Sequence, residues 1–469
     1  MEVVAFEHTE LSAARDSNQF WYSPKAAVGA VLALFFIVQI ISSLIPPMQS
    51  PDESDHLSRA YLLSRGHIFL DARGGVTGGM IDTGLLSYMT LYDTTASQYR
   101  QKVSAPEVRS SKEIAWSGRD EFRGLPNTAL YFPLPYLPQA VALTVGQHLE
   151  FSINTTYQFA RLLSLLTTLA LLWFAAIMYP MPAIVVAMFL MPMALFQLAS
   201  ASLDAITFGI TTLTSALFLR AFDSRQRFSW PMQGALALCV LVLASSRISY
   251  ILLALMPATI YVSRRSPAFI LSPMISFACS LTWIGFASTT VEGMPWPGHS
   301  KVEIAAHYAT HPIALFKIIF NTISDPTILE SYWKTYVGVL GGAADTPLDS
   351  YVYVLFACLL AMLTLLSTPL VVRLSVPRQN GVLLCTSILT LGMILLTLLL
   401  TFTPPDATVV VGFQGRYFIP ILILSAYAIC GRYLSATSRT ISLLAICVVT
   451  TISTADMISK LALRYWAVD

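Results

Sequence analysis

The chain has 469 residues, 55% hydrophobic and 12% charged, with a formal net charge of +2. Soluble domains carry about 25% charged residues. This composition, with a mean hydropathy of +0.65, excludes a soluble globular protein and predicts an all-α polytopic membrane protein. So small a net charge argues for no nucleic-acid partner.

Residues 1–25 hold Glu2, Glu7, Glu10 and Asp16 beside Arg15 and Lys25, so they lack the basic n-region of a signal peptide. The first apolar run, 26–45, is long enough to span, and no small-residue cleavage site follows it. It is expected to be an uncleaved anchor behind a cytoplasmic tail.

The stretch PPMQSPDESDHLSRAY follows at 46–61. Ser50, Pro51 and Glu53 have the spacing of a helix start, with Ser50 as cap and Glu53 closing a capping box. On that helix Asp52, Asp55, His56 and Arg59 fall on one face. Such a face is either simply solvated or chemically used. A carboxylate there can orient or deprotonate a hydroxyl. Asp52, Glu53 and His56 could instead hold a divalent cation against a phosphate, although their spacing matches no specific metal motif. The glycine-rich GGVTGGMIDTG at 74–84 lacks the strand–helix context of a phosphate loop and is expected to be a mobile loop. The segment 128–147 carries Pro133, Pro135 and Pro138, and prolines this dense disrupt helical hydrogen bonding.

Ten further apolar runs are expected to span: 157–179, 183–200, 204–221, 231–246, 248–262, 268–286, 351–371, 382–402, 417–434 and 440–457. All six cysteines (Cys239, Cys279, Cys358, Cys385, Cys430 and Cys447) lie inside such runs, which argues against a disulfide framework or thiolate metal site. Cytoplasmic connections are enriched in Lys and Arg. Arg220/Arg225/Arg227, Arg264/Arg265, Arg373/Arg378 and Arg432/Arg439 all fall on one side, and that side is the cytoplasmic one, shared with the tail, only if 128–147 does not cross. The expected layout is therefore eleven spans, with 128–147 interfacial or re-entrant, the N-terminus cytoplasmic and the C-terminus outside. Both long loops, 47–155 and 287–350, are then extracytoplasmic. The chain divides into a tail (1–25), a membrane module with its first loop (26–286), a second loop (287–350) and C-terminal spans (351–469).

Three more ionisable positions join the outer rim. Asp204 stands in LASASLDAITFG (198–209), where a helix start capped by Ser202 is the plain structural account. Arg247 separates two spans in LASSRISYILL (243–253), where snorkelling would suffice. Arg416 and Tyr417 stand in GFQGRYFIPIL (412–422). Acids and guanidinium groups on one aqueous rim suit a phosphate-bearing lipid and a sugar hydroxyl. The loop 287–350 adds His299, Lys301, His307, His311, Lys317 and Lys334, with the aromatics Trp296, Tyr308, Tyr332, Trp333 and Tyr336. It reads as a cover over the site or as an amphipathic loop packed on the membrane surface.

PDESDH at 51–56, the acid ending a short segment at 198–204, GVLGGAADTPLD at 338–349 and GRYFIP at 415–420, in that order, resemble the bacterial membrane-protein family catalogued as domain of unknown function 2142. That family in turn resembles the GT-C glycosyltransferases, which take sugars from polyprenyl-phosphate donors. The resemblance implies a GT-C-like fold, with Asp52 as base, Glu53 beside it and Asp204 as second acid. Arg416, with Tyr417 beside it, becomes a ligand of the donor phosphate. His56, Arg59 and Arg247 are further substrate-binding candidates, although the family more often has Lys where Arg247 stands. It further implies transfer to a cell-envelope glycan or lipid acceptor on the periplasmic side of a bacterial inner membrane. No cofactor is implied beyond a possible divalent cation. A transporter or flippase of lipid-linked glycans, a glycan polymerase and a non-catalytic assembly partner are the competing readings. Transporters place ionisable groups near the bilayer midplane, whereas here Asp204, Arg220, Arg416, Arg432, Arg439 and Asp456 stand near span ends.

Overall fold

The computed structural model describes residues 24–223, 227–292, 301–368, 377–430 and 435–466. Arg15, Arg225, Trp296, His299, Arg373 and Arg432 lie outside the described residues. The protein is an all-α polytopic membrane protein with seven helices long and apolar enough to cross a bilayer among the described residues. Shorter apolar segments complete the bundle.

Helix α1 (Pro24–Leu44) leads into the first long loop. The loop holds α2 (Glu53–Ser64), strands β1 (Asp71–Arg73) and β2 (Val76–Asp82), α3 (Thr83–Ser97), α4 (Ala105–Glu113) and β3 (Asp120–Gly124). The three strands form an antiparallel sheet in the order β1-β2-β3, with Met80 opposite Phe122. The glycine-rich stretch is therefore a central strand and not the mobile loop expected of it. Its glycines serve close approach: a Cβ on Gly78 would lie 1.9 Å from the Arg123 carbonyl oxygen, and one on Gly79 would lie 2.6 Å from Leu62 Cδ1. Glycine reads as loop from composition alone, yet it also suits a strand against which another backbone packs.

After a 3₁₀ turn at Leu134–Tyr136 comes α5 (Leu137–His148). Its 12 residues reach about 18 Å, short of a hydrocarbon core of about 30 Å. The helix lies against α2 and against α6 (Ile153–Met178).

The run 183–200 is a correction to the expected single span. It forms two helices of seven residues each, α7 (Ala183–Phe189) and α8 (Pro192–Leu198). Pro192 cannot donate a backbone hydrogen bond, and Met191 before it is extended. Both pieces are almost wholly buried in protein, where a broken helix is tolerated at membrane depth.

Helix α9 (Asp204–Phe222) returns through the centre of the bundle and is the most buried of the seven. Helix α10 (Trp230–Ser246) ends at Arg247. A 3₁₀ helix over Ile248–Ile260, with Pro257 inside it, continues into α11 (Tyr261–Arg264). At about 2.0 Å per residue, 3₁₀ winding lets this short segment reach roughly 32 Å, enough to traverse the core. Helix α12 (Ala268–Thr290) precedes the second long loop. That loop carries α13 (Lys301–Thr310), α14 (Pro312–Ser324), α15 (Pro326–Gly338) and a small hairpin of β4 (Val339–Leu340) and β5 (Thr346–Pro347). Then follow α16 (Ser350–Ser367), α17 (Arg378–Thr401), a 3₁₀ turn (Gly415–Tyr417), α18 (Phe418–Ile429) and α19 (Ala436–Tyr465).

With its 30 residues, α19 is about 45 Å long, so it outreaches the core and the expected 440–457. Its far end is clasped by both long loops. Arg464 donates to the Thr95 carbonyl at 2.7 Å and reaches Asp345 Oδ2 at 3.0 Å. Trp466 Nε1 donates to the Leu44 carbonyl at 2.8 Å. One apolar core runs from Leu34 on α1 to Tyr465 on α19, and a second fills the first loop domain around Leu57, Tyr88 and Leu143. The end of the bundle that bears the two long loops is called the loop end below.

Candidate functional site

The site is built where four chain segments meet at the loop end. The first is the entry to α2. Ser50 does not cap the helix as its position suggested; its hydroxyl donates to Gln197 Oε1 at 3.0 Å. Only half of the capping box forms, with Glu53 Oε2 accepting from the Ser50 amide at 3.2 Å. Asp52 itself occupies the cap position in the left-handed conformation, φ 60° and ψ 11°, and makes no side-chain cap bond. A non-glycine residue there stores strain that its surroundings must hold. The result is that the Asp52 carboxylate points away from its own helix, with its side chain 49% exposed.

The second and third segments are the starts of α9 and of the 3₁₀ helix after α10. Asp204 is buried at the first position of α9. Ser202 does not cap that helix either; its hydroxyl donates to Gln197 Oε1 at 3.2 Å. Arg247 donates from Nη2 to Asp204 Oδ1. The fourth is the 3₁₀ turn with Arg416, which is buried at 3% exposure. Its Nη2 donates to Asp52 Oδ2 at 2.6 Å and its Nη1 donates to the Pro51 carbonyl at 3.2 Å. Nη1 also lies 3.3 Å from Asp204 Oδ2. Arg416 thus bridges the two acids, and Arg247 holds the second one from the other side.

Aromatic rings wall this cluster. Tyr417 lies under both guanidinium groups, at 5.3 Å from Arg247 and 5.4 Å from Arg416, and Tyr131 faces Arg247 at 5.9 Å. His56 stacks on Tyr131 and its Nδ1 lies 2.8 Å from the Tyr136 hydroxyl. Burial pushes the His56 pKa down to about 4, against the pull of Asp52 and Asp204. At neutral pH it is a neutral imidazole. The two acids and two arginines then sum to zero charge. Among the buried polar atoms left without a hydrogen-bond partner are Arg247 Nε, Arg416 Nε and the Tyr250 hydroxyl. Buried donors of this kind fit an anion with several acceptor oxygens.

The other candidates read from the sequence go elsewhere. Glu53 is fully buried, and its Oε1 accepts from the Tyr157 hydroxyl and the Ala201 amide, both at 2.8 Å, beside Arg161 Nε at 3.5 Å. Both its oxygens are engaged, so it locks α2 onto α6 and the α8–α9 turn. Arg59 is also fully buried and donates to the carbonyls of His67 and Ile68. Asp55 pairs with Arg123 at 2.9 Å, and burial raises its pKa against that partner. The face of α2 therefore splits among separate partners. Among the described residues, no three His, Cys, Asp or Glu side chains gather as a metal-ligating group. Asp52, Glu53 and His56 turn to Arg416, Tyr157 and Tyr136 respectively.

From the second loop, α15 packs directly on the Arg416 turn. Thr335 Oγ1 accepts from the Gly415 amide at 2.9 Å, and the Tyr332 ring sits 4.7 Å from that of Phe413. His307 and His311 stack on each other at 4.6 Å in exposed positions, and Lys334 pairs with Glu330. Two cavities lie apart from the charge cluster. One of about 590 Å³ is lined by Ser42, Asn154, Gln158, Arg161 and Trp466 at the loop end. The other, apolar and about 350 Å³, lies between α1, α6, α7 and α19.

Sequence reading missed Arg161, Tyr131 and Tyr136. Arg161 holds the carbonyls of Ile45 and Pro46, both at 3.0 Å. Its signal was available, since a lone arginine inside an apolar run is rare without a partner. The two tyrosines lie in the proline-rich strip and carried no pattern of their own.

Neither the curated proteins nor the solved structures contain a match to this chain. The family model for predicted membrane proteins of the DUF2142 type matches residues 34–425, a region that holds all four segments of the charge cluster. By that match the chain belongs to the DUF2142 family.

Proposed function

We propose that the protein is a GT-C-type glycosyltransferase. It moves a sugar from a polyprenyl-phosphate donor to a cell-envelope glycan or lipid acceptor. The observation that carries the proposal is the Asp52–Arg416–Asp204–Arg247 chain, which puts a half-exposed carboxylate beside a buried and a partly buried guanidinium group, each with an unpaired Nε donor. Guanidinium is shaped for phosphate, and a carboxylate can take a hydroxyl proton.

In this scheme the donor phosphate engages Arg416 and Arg247. Arg416 then exchanges Asp52 for a phosphate oxygen, and the freed Asp52 carboxylate accepts the proton of the acceptor hydroxyl. The hydroxyl oxygen bonds to the anomeric carbon while the bond from that carbon to the phosphate oxygen breaks. Polyprenyl phosphate leaves with the electron pair, its added charge facing the two arginines. Direct displacement inverts the anomeric centre. Asp204 orients both arginines, and Tyr417 and Tyr131 offer ring faces to the sugar or to the arginines.

The same arrangement supports a membrane orientation. Arg220, Arg264 and Arg439 lie at the helix ends opposite the charge cluster, and cytoplasmic ends are the basic ones. The loop end is then periplasmic in a bacterial inner membrane. A cysteine in place of Arg265 should resist a membrane-impermeant thiol reagent in intact cells, while one in place of Glu121 should react. The reverse pattern would invert the orientation.

The deciding assay offers radiolabelled polyprenyl-phosphate sugars to purified protein, wild type beside Asp52→Asn. Sugar release or transfer by wild type alone supports the enzyme. Lipid scrambling by both proteins without transfer would replace it with a flippase.

A further inference from the structure

Helix α14 presents an apolar stripe that no described part of the chain covers. Ile313 is 83% exposed, Phe316 69%, Phe320 51% and Ile323 50%. These positions share one face of the helix, and Lys317 is exposed beside them. The opposite face is spoken for. Ile318 and Thr322 are buried, Thr322 Oγ1 accepts from the Val410 amide at 2.8 Å, and Asn321 Nδ2 donates to the Thr408 carbonyl at 3.1 Å.

Those two bonds locate the helix. Residues 408–410 belong to the connection directly after α17, a helix of spanning length that ends at Thr401. Helix α14 is therefore tied down at the level where a span leaves the bilayer. The apolar surface continues from it onto that connection, where Phe402 and Val411 are 47% and 40% exposed. An amphipathic helix with aromatic residues on its apolar face and a lysine at the margin suits a phospholipid interface. The lysine complements lipid phosphate, and the stripe lies beside the span that the bilayer already surrounds.

We propose that the exposed face of α14 is seated in the lipid leaflet at the loop end and that, through α15, it steadies the turn carrying Arg416. Only Asp325 separates α14 from α15, and that residue caps α15 by accepting from the Thr327 amide at 2.8 Å. Helix α15 then grips the turn. Besides the Thr335–Gly415 bond, a Cβ on Gly415 would lie 2.0 Å from the Tyr336 nitrogen, so the two backbones are in direct contact. The lipid seat does not depend on the transferase reading; its value to donor binding does.

The test uses the full chain in nanodiscs of mixed zwitterionic and anionic phospholipid. The photo-crosslinking residue p-benzoylphenylalanine replaces Phe316, Phe320 or, as an exposed polar control, Glu330. Lipid adducts are expected at 316 and 320 and not at 330. Adducts on polypeptide at 316 and 320, from a second copy or another protein, or lipid adducts equal at all three sites, would overturn the lipid seat. For the coupling, amide exchange over 412–418 should rise about tenfold in Phe316→Asp/Phe320→Asp. Unchanged exchange there would overturn the link to Arg416. Neither readout measures sugar transfer, so failure of the transferase reading would leave both interpretable.

Discussion

Arg416 and Asp52 are 364 residues apart in sequence, yet they meet at 2.6 Å across the mouth of the bundle. The contact joins a buried cation to a half-exposed anion. An arginine so placed can change partners without leaving its site, which is what a phosphate-binding step would ask of it. The strained cap conformation of Asp52 is held from the other side by Glu53, whose carboxylate is locked into α6 and the α8–α9 turn.

Asp52→Asn should leave membrane insertion and detergent stability intact, because the side chain is half in solvent. Loss of a general base typically costs 10² to 10⁴ in rate, and transfer should fall by about that factor. Radiolabel transfer with matched protein amounts checks this. Full activity would remove Asp52 from the chemistry.

Arg416→Ala should be more damaging to the fold. Asp204 is buried and would keep only Arg247. Removing one partner of a buried charge pair costs about 3–5 kcal/mol. Thermal denaturation in detergent should show the loss, and the Arg416→Ala/Asp204→Asn double variant should lose less than the sum of the Arg416→Ala and Asp204→Asn singles. Simple additivity would mean that the two residues are not coupled.

Gly415→Ala tests the backbone contact between α15 and the Arg416 turn. Forcing a methyl into a packed site costs about 1–3 kcal/mol. Thr335→Val keeps the side-chain volume but removes the hydroxyl that accepts from the Gly415 amide and donates to the Ser331 carbonyl, at about 1 kcal/mol per bond. Polyprenyl-phosphate affinity should fall more in Gly415→Ala than in Thr335→Val. Equal affinities would show that the turn does not depend on α15.

His56 gives a pH signature. It is neutral in both folded and unfolded chains above pH 6.5, so it costs nothing there. As pH falls from 6.5 toward about 4, the unfolded chain binds a proton that the buried imidazole does not. Stability is lost across that window by up to about 3 kcal/mol. His56→Gln should flatten the decline in melting temperature between pH 6.5 and pH 4. An unchanged pH profile would place the acid sensitivity elsewhere.

Arg464→Met should loosen the far end of α19. It removes the bonds to the Thr95 and Gln101 carbonyls and the pair with Asp345. Faster amide exchange over 95–103, with little change in the bundle interior, is the expected result. Uniform protection would show that the clasp is redundant with Trp466.

Apolar run length was enough to read a polytopic bundle from the sequence, because a bilayer demands about 20 apolar residues per helical crossing. The same logic failed where proline intervened. Pro192 splits one expected span into α7 and α8, and hydropathy does not register a missing amide. It failed also at the glycine-rich stretch, where distant partners such as Phe122, opposite Met80, turn an apparent loop into a strand.

By itself, then, the sequence determined that this chain lives in a membrane and which few ionisable residues stand at the ends of its helices, since both follow from the cost of placing charge in hydrocarbon. Only the tertiary structure decided how those residues divide. Asp52, Asp204, Arg247 and Arg416 converge, while Glu53 is consumed by anchoring α2 to α6 and the α8–α9 turn, and Arg59 by bonding within the first loop domain. Adjacent residues such as Asp52 and Glu53 look alike as letters. Their fates differ because a left-handed turn at Asp52 aims one carboxylate at the bundle mouth, while the helix that follows carries the other into the core.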